Sequence, residues 1–327
     1  MRRYGMLTVF VVLFVIFAAT SAPFRSSTNL VNLLQQNATF GIVACGMLVM
    51  IITGGFDLSV GAIAAMSGVV AAFLITHLSV LGVPIGLAGA LGAGALAGVF
   101  NGALIAVLGI NPFVATLGTQ ILFRGLLYIA TDARPVYGMP EAFTVIGIGN
   151  IGPFPMATSL FALVALLIFL ILRFTRFGHY LYAVGGNEGA SELAGINVAR
   201  VKVFAYVVGG ALAALAGIVL LGQTNIGHPS AAEQWPLTAI AIVVVGGTPL
   251  SGGAGGIMSV LLGTLILGMV GNALNLYNAS PYWNPAITGA ILLTSVGLER
   301  YTARSGQRGG ALTGRRAQAK VSPTSRR

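Results

Sequence analysis

Residues 178–202 read GHYLYAVGGNEGASELAGINVARVK, and residues 203–222, which follow directly, read VFAYVVGGALAALAGIVLLG. The first stretch is polar and rich in glycine. The second is an apolar run of about 20 residues, the length that a helix needs to cross a bilayer. This alternation recurs along the 327-residue chain, of which 56% is hydrophobic and 7% charged, with a mean hydropathy of +0.92. Soluble domains carry about 25% charged residues, so the composition predicts an all-α, polytopic integral membrane protein.

The apolar runs predict about ten transmembrane or half-membrane helices. The runs lie at about 6–22, 37–53, 57–78, 84–109, 112–131, 156–174, 201–222, 236–247, 255–274 and 284–298. The eighth run is too short to cross about 30 Å of hydrocarbon as a helix. It is therefore either a half-helix or one part of a broken span that it shares with its neighbour.

Basic residues are distributed unevenly between the two sides that this segmentation defines. With a cytoplasmic N-terminus, the inside segments hold 14 of the 17 basic residues: Arg2, Arg3, Arg173, Arg176, Arg200, Lys202 and the eight that follow Glu299. The positive-inside rule favours an N-in/C-in orientation, with the loop at about 175–200 in the cytoplasm. A cleaved signal peptide over the first run is an alternative, but we favour a retained first helix.

Charge also divides the chain into two parts. Residues 1–299 are predicted to form the transmembrane domain, and residues 300–327 a basic, disordered cytoplasmic tail, because the tail has few apolar residues. The net charge of +10 is concentrated in this tail, which we expect to anchor the topology on the cytoplasmic side, so no nucleic acid partner is predicted. The three histidines show no metal-ligand spacing, and no metal site is predicted.

Two short segments of the chain are related to each other. Residues 54–62, GGFDLSVGA, and residues 246–254, GGTPLSGGA, match at six of nine positions. Each interrupts an apolar run with glycine and serine. Paired broken segments in the two halves of a transporter point to the translocation path, whereas two glycine-rich turns that are alike by chance are the alternative.

Four groups of motifs together resemble one family, the permease subunits of ABC importers for ribose and related sugars. They are Gly54–Gly61, then Asn101-Gly102 with Asn111–Gly118, then Tyr182-Ala183, Gly185–Asn187, Ala190, Gly195-Ile196 and Lys202, and finally Ala239–Ala241 with Gly246–Thr248. The resemblance covers roughly residues 35–300. The chain departs from the family pattern at His179, where the family usually has arginine, and at Ser191, where it often has alanine.

This resemblance implies the partners and the location of the chain. It implies a multi-pass protein of the bacterial inner membrane, paired with a second permease chain, identical or similar. A solute-binding protein would deliver the sugar, and a separate ATPase would hold ATP and Mg. The chain itself has no P-loop, because Lys202 and Lys320 are each followed by valine, so no cofactor bound by this chain and no enzymatic activity are predicted.

The resemblance also implies that the polar loop couples the chain to that ATPase. The residues expected to do so are Gly185, Gly186, Asn187, Glu188, Ala190, Ser191, Glu192 and Gly195. They are predicted to form a short helix that ends at Gly195, since glycine commonly terminates helices. An ordinary solvated loop is the alternative.

A path for sugar needs neutral hydrogen-bonding groups. The candidates in or beside the apolar runs are Asp57, Ser59, Asn101, Asn111, Phe113, Thr116, Gln120, Asn272 and Asn284. Buried amides often link helices instead of touching solute. For Asp57 we favour an N-cap of the following helix over a place on the path. Arg124, within the fifth run, could extend to the membrane surface, pair with Asp57, or face a polar cavity.

The rival function is an ion-gradient-driven secondary transporter of a small polar solute. It requires a buried acid that binds an ion or a proton, and Asp57 is the candidate for that role.

Overall fold

A computed structural model describes residues 2–78, 81–280, 282–295 and 297. Its helices are α1 (Arg2–Thr20), α2 (Ser27–Ile52), α3 (Val60–His77), α4 (Gly82–Ala106), α5 (Pro112–Thr131), α6 (Glu141–Ile148), α7 (Met156–Phe174), α8 (Arg176–Gly186), α9 (Glu188–Leu193), α10 (Val198–Thr224), α11 (Trp235–Val245) and α12 (Ile257–Leu276). Residues 283–295 are also helical. Between α6 and α7, strands β1 (Asn150–Ile151) and β2 (Phe154–Pro155) form a small antiparallel hairpin.

The prediction of a polytopic helical membrane protein is confirmed. Within the described ranges, seven helices are long and apolar enough to cross a membrane: α2, α3, α4, α5, α7, α10 and α12. The apolar parts of α1 and α11 are shorter. The count of about ten and the N-in/C-in orientation stay predictions, and the basic tail 300–327 lies outside the described residues.

The eighth apolar run is a half-length helix. α11 has 11 residues, about 16 Å at 1.5 Å per residue, or roughly half of the hydrocarbon thickness. It packs side by side with α12, so the two helices form a hairpin and are not one broken span.

α10 is the centre of the fold, and small residues bring three helices against it. Its Gly209 lies against α2, where a Cβ at Gly46 would come within 3.0 Å of the Gly209 Cα. Its Gly210 lies against α4, and its Gly217 lies against the backbone of Ala64 on α3. Within lipid, the hydrophobic effect does not drive helices to associate. Close backbone contact instead stabilises the helix pairs through dispersion attraction.

On α4, the residues that make this close backbone contact with α10 are glycines spaced four residues apart. This spacing places them on the same face of the helix. A Cβ at Gly94 would lie 2.5 Å from the carbonyl oxygen of Gly210, and a Cβ at Gly102 would lie 2.8 Å from the Cα of Val203. At Gly98, a Cβ would collide with the carbonyl oxygen of Tyr206. We call Gly94, Gly98 and Gly102 the α4 seam.

Gly98→Ala should weaken the packing of α4 on α10, because the added methyl group collides with backbone that cannot rotate away. Overpacking of this kind costs about 1–3 kcal/mol, so we expect a lower melting temperature of the detergent-purified protein. Gly92→Ala is the matched control on the same helix, where a Cβ meets nothing within 4 Å. Equal melting temperatures for the two variants would contradict the seam.

Candidate functional site

A buried polar cluster joins the start of α3 to the C-terminal part of α4. Asp57 Oδ1 accepts hydrogen bonds from the backbone N–H and the hydroxyl of Ser59, both at 2.6 Å. Asn101 Nδ2 donates to Asp57 Oδ2 at 3.0 Å and to Ser59 Oγ at 2.7 Å. All three residues are fully buried. The structure thus brings together three of the residues that were expected to line a solute path.

Asp57 forms a turn just before α3 and is not the N-cap that the sequence favoured. Its carboxylate accepts the backbone N–H of Ser59, whereas the N-cap of α3 is Ser59 itself, whose side chain makes no capping hydrogen bond. The neighbouring Phe56 carbonyl accepts a hydrogen bond from the Tyr206 hydroxyl of α10 at 3.1 Å. Since Tyr206 is eight residues from the start of α10, the cluster lies about 12 Å along that helix.

The two related segments meet each other, and the end of α8 joins them. The Gly253 N–H donates to the carbonyl of Ile52, the last residue of α2, at 2.9 Å. A Cβ at Gly185 would lie 2.6 Å from the Gly253 nitrogen and would collide with the Ile52 carbonyl. Tyr182 of α8 also donates to the Gly255 carbonyl at 3.0 Å. We call this contact of Ile52, Gly185 and Gly253 the glycine junction.

The polar loop contains the short helix that the sequence predicted. α9 begins after Asn187, whose side-chain oxygen accepts the Ala190 N–H at 2.9 Å. It is closed by Gly195, which has a φ of +82° and donates its N–H to the Glu192 carbonyl at 2.9 Å. Positive φ is the conformation in which glycine ends helices.

Two features of α9 were not predicted from the sequence. Glu188 forms an ion pair with Lys202 of α10, with Nζ–Oε2 at 2.7 Å, which fixes the start of α9 to the base of the central helix. Leu193, at the end of α9, is 93% exposed. The signal for Leu193 was available, since it is an apolar side chain within a polar segment.

The remaining path candidates lie at separate places. Asn111 caps α5 by accepting the Phe113 N–H at 2.9 Å, and Phe113 is half exposed. Asn272 of α12 exchanges hydrogen bonds with Asn29 of α2 at 2.9 and 3.0 Å, so it links helices. Asn284 lines a cavity of about 430 Å³ beside α11.

The inward face of α5 carries a polar stripe. Thr116, Gln120 and Arg124 are spaced by four residues, the spacing of one helix face. Thr116 is fully buried, and its hydroxyl donates to the Pro112 carbonyl at 2.7 Å. Gln120 Oε1 is buried and has no hydrogen-bond partner within the part of the chain that the structure describes.

Arg124 does not pair with Asp57, one of the three roles that the sequence left open, because its hydrogen bonds go to backbone carbonyls. Its guanidinium donates to the carbonyl of Pro229, and to that of Ala231 at 2.9 Å. Both carbonyls belong to residues 225–234, the irregular segment between α10 and α11, which we call the descending segment. Arg124 thus supplies donors to backbone that no helix satisfies.

Comparison with known proteins identifies the chain. The family described as "Branched-chain amino acid transport system / permease component" matches residues 29–296. The chain belongs to this permease family. The permease is 40% identical over 304 residues to the "Ribose import permease protein RbsC" of Bacillus subtilis (strain 168), covering 92% of this chain and 93% of that protein.

Two further relatives carry the names of other sugars. The permease is 39% identical over 303 residues to the "L-arabinose transport system permease protein AraH" of Escherichia coli (strain K12), covering 93% and 92% of the two chains. It is 33% identical over 312 residues to the "D-allose transport system permease protein AlsC" of the same strain, covering 92% and 93%. No solved structure matches the chain.

Asn101→Leu should destabilise the permease, because Asp57 Oδ2 and Ser59 Oγ would be left buried without their donor from α4. An unpartnered buried polar group costs about 1–3 kcal/mol, and a lower melting temperature of the purified protein measures the loss. Asn150→Leu, at an exposed position of the small hairpin, is the control. Unchanged stability in Asn101→Leu would show that the cluster does not join α3 to α4.

Arg124→Met should loosen the descending segment, since the carbonyls of Pro229 and Ala231 lose their donors. We expect amide hydrogen exchange in residues 225–234 to become about fivefold faster or more, as a loss of about 1–3 kcal/mol predicts. The control is Arg134→Met, at an exposed position. Exchange at the wild-type rate in Arg124→Met would mean that other contacts hold the segment.

Proposed function

We propose that the permease is the membrane subunit of an ATP-driven ABC importer that carries a sugar across the bacterial inner membrane. The observation that carries this proposal is the 40% identity with a ribose import permease over more than nine-tenths of both chains. The family description names branched-chain amino acids, whereas the three relatives described above are named for ribose, L-arabinose and D-allose. The sugar class is therefore the substrate class that the nearer relatives support.

The segment from α8 to α9 is the proposed contact with a separate ATPase, which would hold ATP and Mg. Its glycines, Gly185 and Gly186, end α8, and its Asn187 starts α9. Small residues on α9, with Ser191 buried beneath them, leave room for a partner surface to approach. Leu193 is the proposed anchor, because its side chain is nearly fully exposed outside the apolar runs.

Coupling requires that movement of α9 reach the path, and the glycine junction is the proposed route. Gly185 touches both the end of α2 and the loop that leads into α12. Beyond α2, the chain runs through Gly54 and Gly55 to Asp57, so a shift of α8 bears directly on the buried polar cluster. An ATPase can change the population of inward and outward states only through contacts that differ between them.

A solute-binding protein and a second permease chain complete the proposed assembly. Such transporters are symmetric as a rule, and the second chain would be a copy of this one or a similar protein. The outward face of α5 exposes Phe113, Leu117 and Ile121, and its inward face carries the polar stripe. We therefore propose that the inward face of α5 lines the solute path and that its outward face contacts lipid or a partner chain.

The relatives' names do not favour the rival, an ion-gradient-driven transporter. Asp57, the acid that this rival requires, is fully buried and engaged by Ser59 and Asn101. Its bonds explain its presence as a link between α3 and α4, so ion binding is not needed to account for it.

The proposal is tested by purifying the tagged permease from its native membranes in mild detergent. We expect an ABC ATPase to co-purify with the wild type and to be lost from Leu193→Glu, because a charge in an apolar contact is strongly unfavourable. The control Leu81→Glu alters another exposed leucine, at the start of α4, and should retain the ATPase.

Proteoliposomes that contain the purified complex should take up D-ribose, L-arabinose or D-allose only with ATP and the solute-binding protein. Absence of an ATPase from wild-type preparations in several mild detergents would contradict the importer. ATP-independent uptake driven by a proton or sodium gradient would favour the rival instead.

A further inference from the structure

A cavity of about 430 Å³ opens beside the first turn of α11. Its walls come from four separate parts of the chain: α2, the end of the descending segment with α11, α12, and the helical stretch 283–295. This volume lies within the range of about 300–1,000 Å³ that is usual for small-molecule sites. The sequence singled out one of its lining residues, Asn284, as a path candidate.

The descending segment places irregular backbone at membrane depth, directly above this cavity. Gly227 lies against Ala72 of α3, and Ala232 lies against Gly61 near the other end of the same helix. These two positions on α3 are 11 residues apart, about 16 Å. Adding the 16 Å of α11 gives about the hydrocarbon thickness of 30 Å, so the segment and the half-helix together cover the depth of one span.

Backbone that is neither helix nor closed sheet is tolerated at this depth only against protein or beside water. Arg124 covers one side of the descending segment by binding the carbonyls of Pro229 and Ala231. The cavity lies at the other end, next to residues 232–235. This arrangement predicts that the cavity holds water when no solute occupies it.

The lining of the cavity is amphipathic. Glu233 and Gln234 are exposed at its edge, and Thr238 lies one turn further along α11. The Thr238 hydroxyl donates to the Gln234 carbonyl at 3.0 Å, and its oxygen remains able to accept a hydrogen bond from a solute. Thr264 of α12 also lines it; this residue is 3% exposed, and its hydroxyl has no hydrogen-bond partner among the residues that the structure describes. A buried hydroxyl without a partner is costly, and a bound solute or water would satisfy it.

Aromatic rings form the apolar side of the same cavity. Phe40 of α2 and Trp235 of α11 contact each other with ring centroids 5.6 Å apart, and both line the space. Flat apolar rings beside hydroxyl and amide groups match a molecule that has hydroxyls at its edge and C–H bonds on its faces.

We propose that this cavity is a binding site within the permease for a neutral, polyhydroxylated solute, and this inference rests on the proposed function. The residues that line the cavity include one acid, Glu233, and no arginine or lysine. An amino acid zwitterion would find no cationic partner for its carboxylate among these residues and would place it near the carboxylate of Glu233, where like charges repel. A sugar can instead donate hydroxyls to Glu233 and accept from the amides of Gln234 and Asn284.

Uptake by the reconstituted full complex tests the site. Thr238→Val keeps the shape of the side chain and removes its hydroxyl, and Glu233→Gln keeps the shape and removes the charge. Loss of one hydrogen bond is expected to raise the apparent KM for D-ribose about threefold to tenfold. The control is Thr131→Val, whose hydroxyl bonds within α5 to the Leu127 carbonyl, away from the cavity.

Co-purification of the ATPase with Thr238→Val and Glu233→Gln serves to show that each variant is assembled. An apparent KM within twofold of wild type for both variants, in preparations where the wild type shows ATP-dependent uptake, would overturn the cavity proposal and leave the importer standing. Absence of uptake by the wild type itself would overturn the proposed function, and the cavity proposal with it. L-Leucine is the probe for the amino acid alternative, and competition by L-leucine stronger than by D-ribose would also overturn the proposal.

Thiol labelling provides a second measurement that does not depend on turnover. In a Cys45→Ala background, Thr238→Cys should react with a charged, water-soluble thiol reagent, and saturating D-ribose should slow the reaction. Leu167→Cys on the exposed face of α7 should not react. Failure of Thr238→Cys to react would mean that lipid or the second permease chain fills the cavity, and would overturn the proposal.

Discussion

The contact between α4 and α10 is the constraint on which the rest of the fold depends. Three glycines of the α4 seam let the backbone of α4 rest on the backbone of α10. The contact places Asn101, which lies between Gly98 and Gly102 on α4, close to Tyr206 of α10. The buried polar cluster depends on this placement, because Asn101 Nδ2 donates to Asp57 Oδ2 at 3.0 Å and the Tyr206 hydroxyl donates to the neighbouring Phe56 carbonyl.

A second constraint is the shortness of α11. A helix of 11 residues cannot cross the hydrocarbon, so the chain covers the remaining depth with the descending segment. Arg124 makes this possible by donating to two carbonyls that would otherwise be unsatisfied in a dry environment. An arginine at this depth is expensive, and here it is retained because it replaces the hydrogen bonds that a full-length helix would have made. The cavity is the space that the shortened helix leaves.

The sequence predicts the long helices well because the thickness of the bilayer fixes the length of an apolar run. The runs at 112–131 and 156–174 have the same bounds as α5 and α7. The end of α9 at Gly195 was also accessible, since glycine is the residue type that commonly follows a helix in the positive-φ conformation. The partners of Arg124 could not be predicted from the sequence, because they are backbone carbonyls, which every residue type has. The cavity was equally hidden, since its walls come from parts of the chain that are some 250 residues apart.

The α4 seam constrains the two helices unequally. A Cβ at Gly98 would meet the carbonyl oxygen of Tyr206 and the Cα of Val207, and a Cβ at Gly102 would meet the Cα of Val203. Since every residue type has these backbone atoms, the seam restricts the side chains of Val203 and Val207 little, whereas the three glycines cannot change. On α10 the exception is Gly210, where a Cβ would collide with the Gly94 carbonyl oxygen. Paired substitutions between side chains, which usually reveal contacts between helices, should therefore be weak across this close contact. In related sequences we therefore expect invariant glycines on α4 and at the position of Gly210, beside α10 side chains that vary without paired changes on α4.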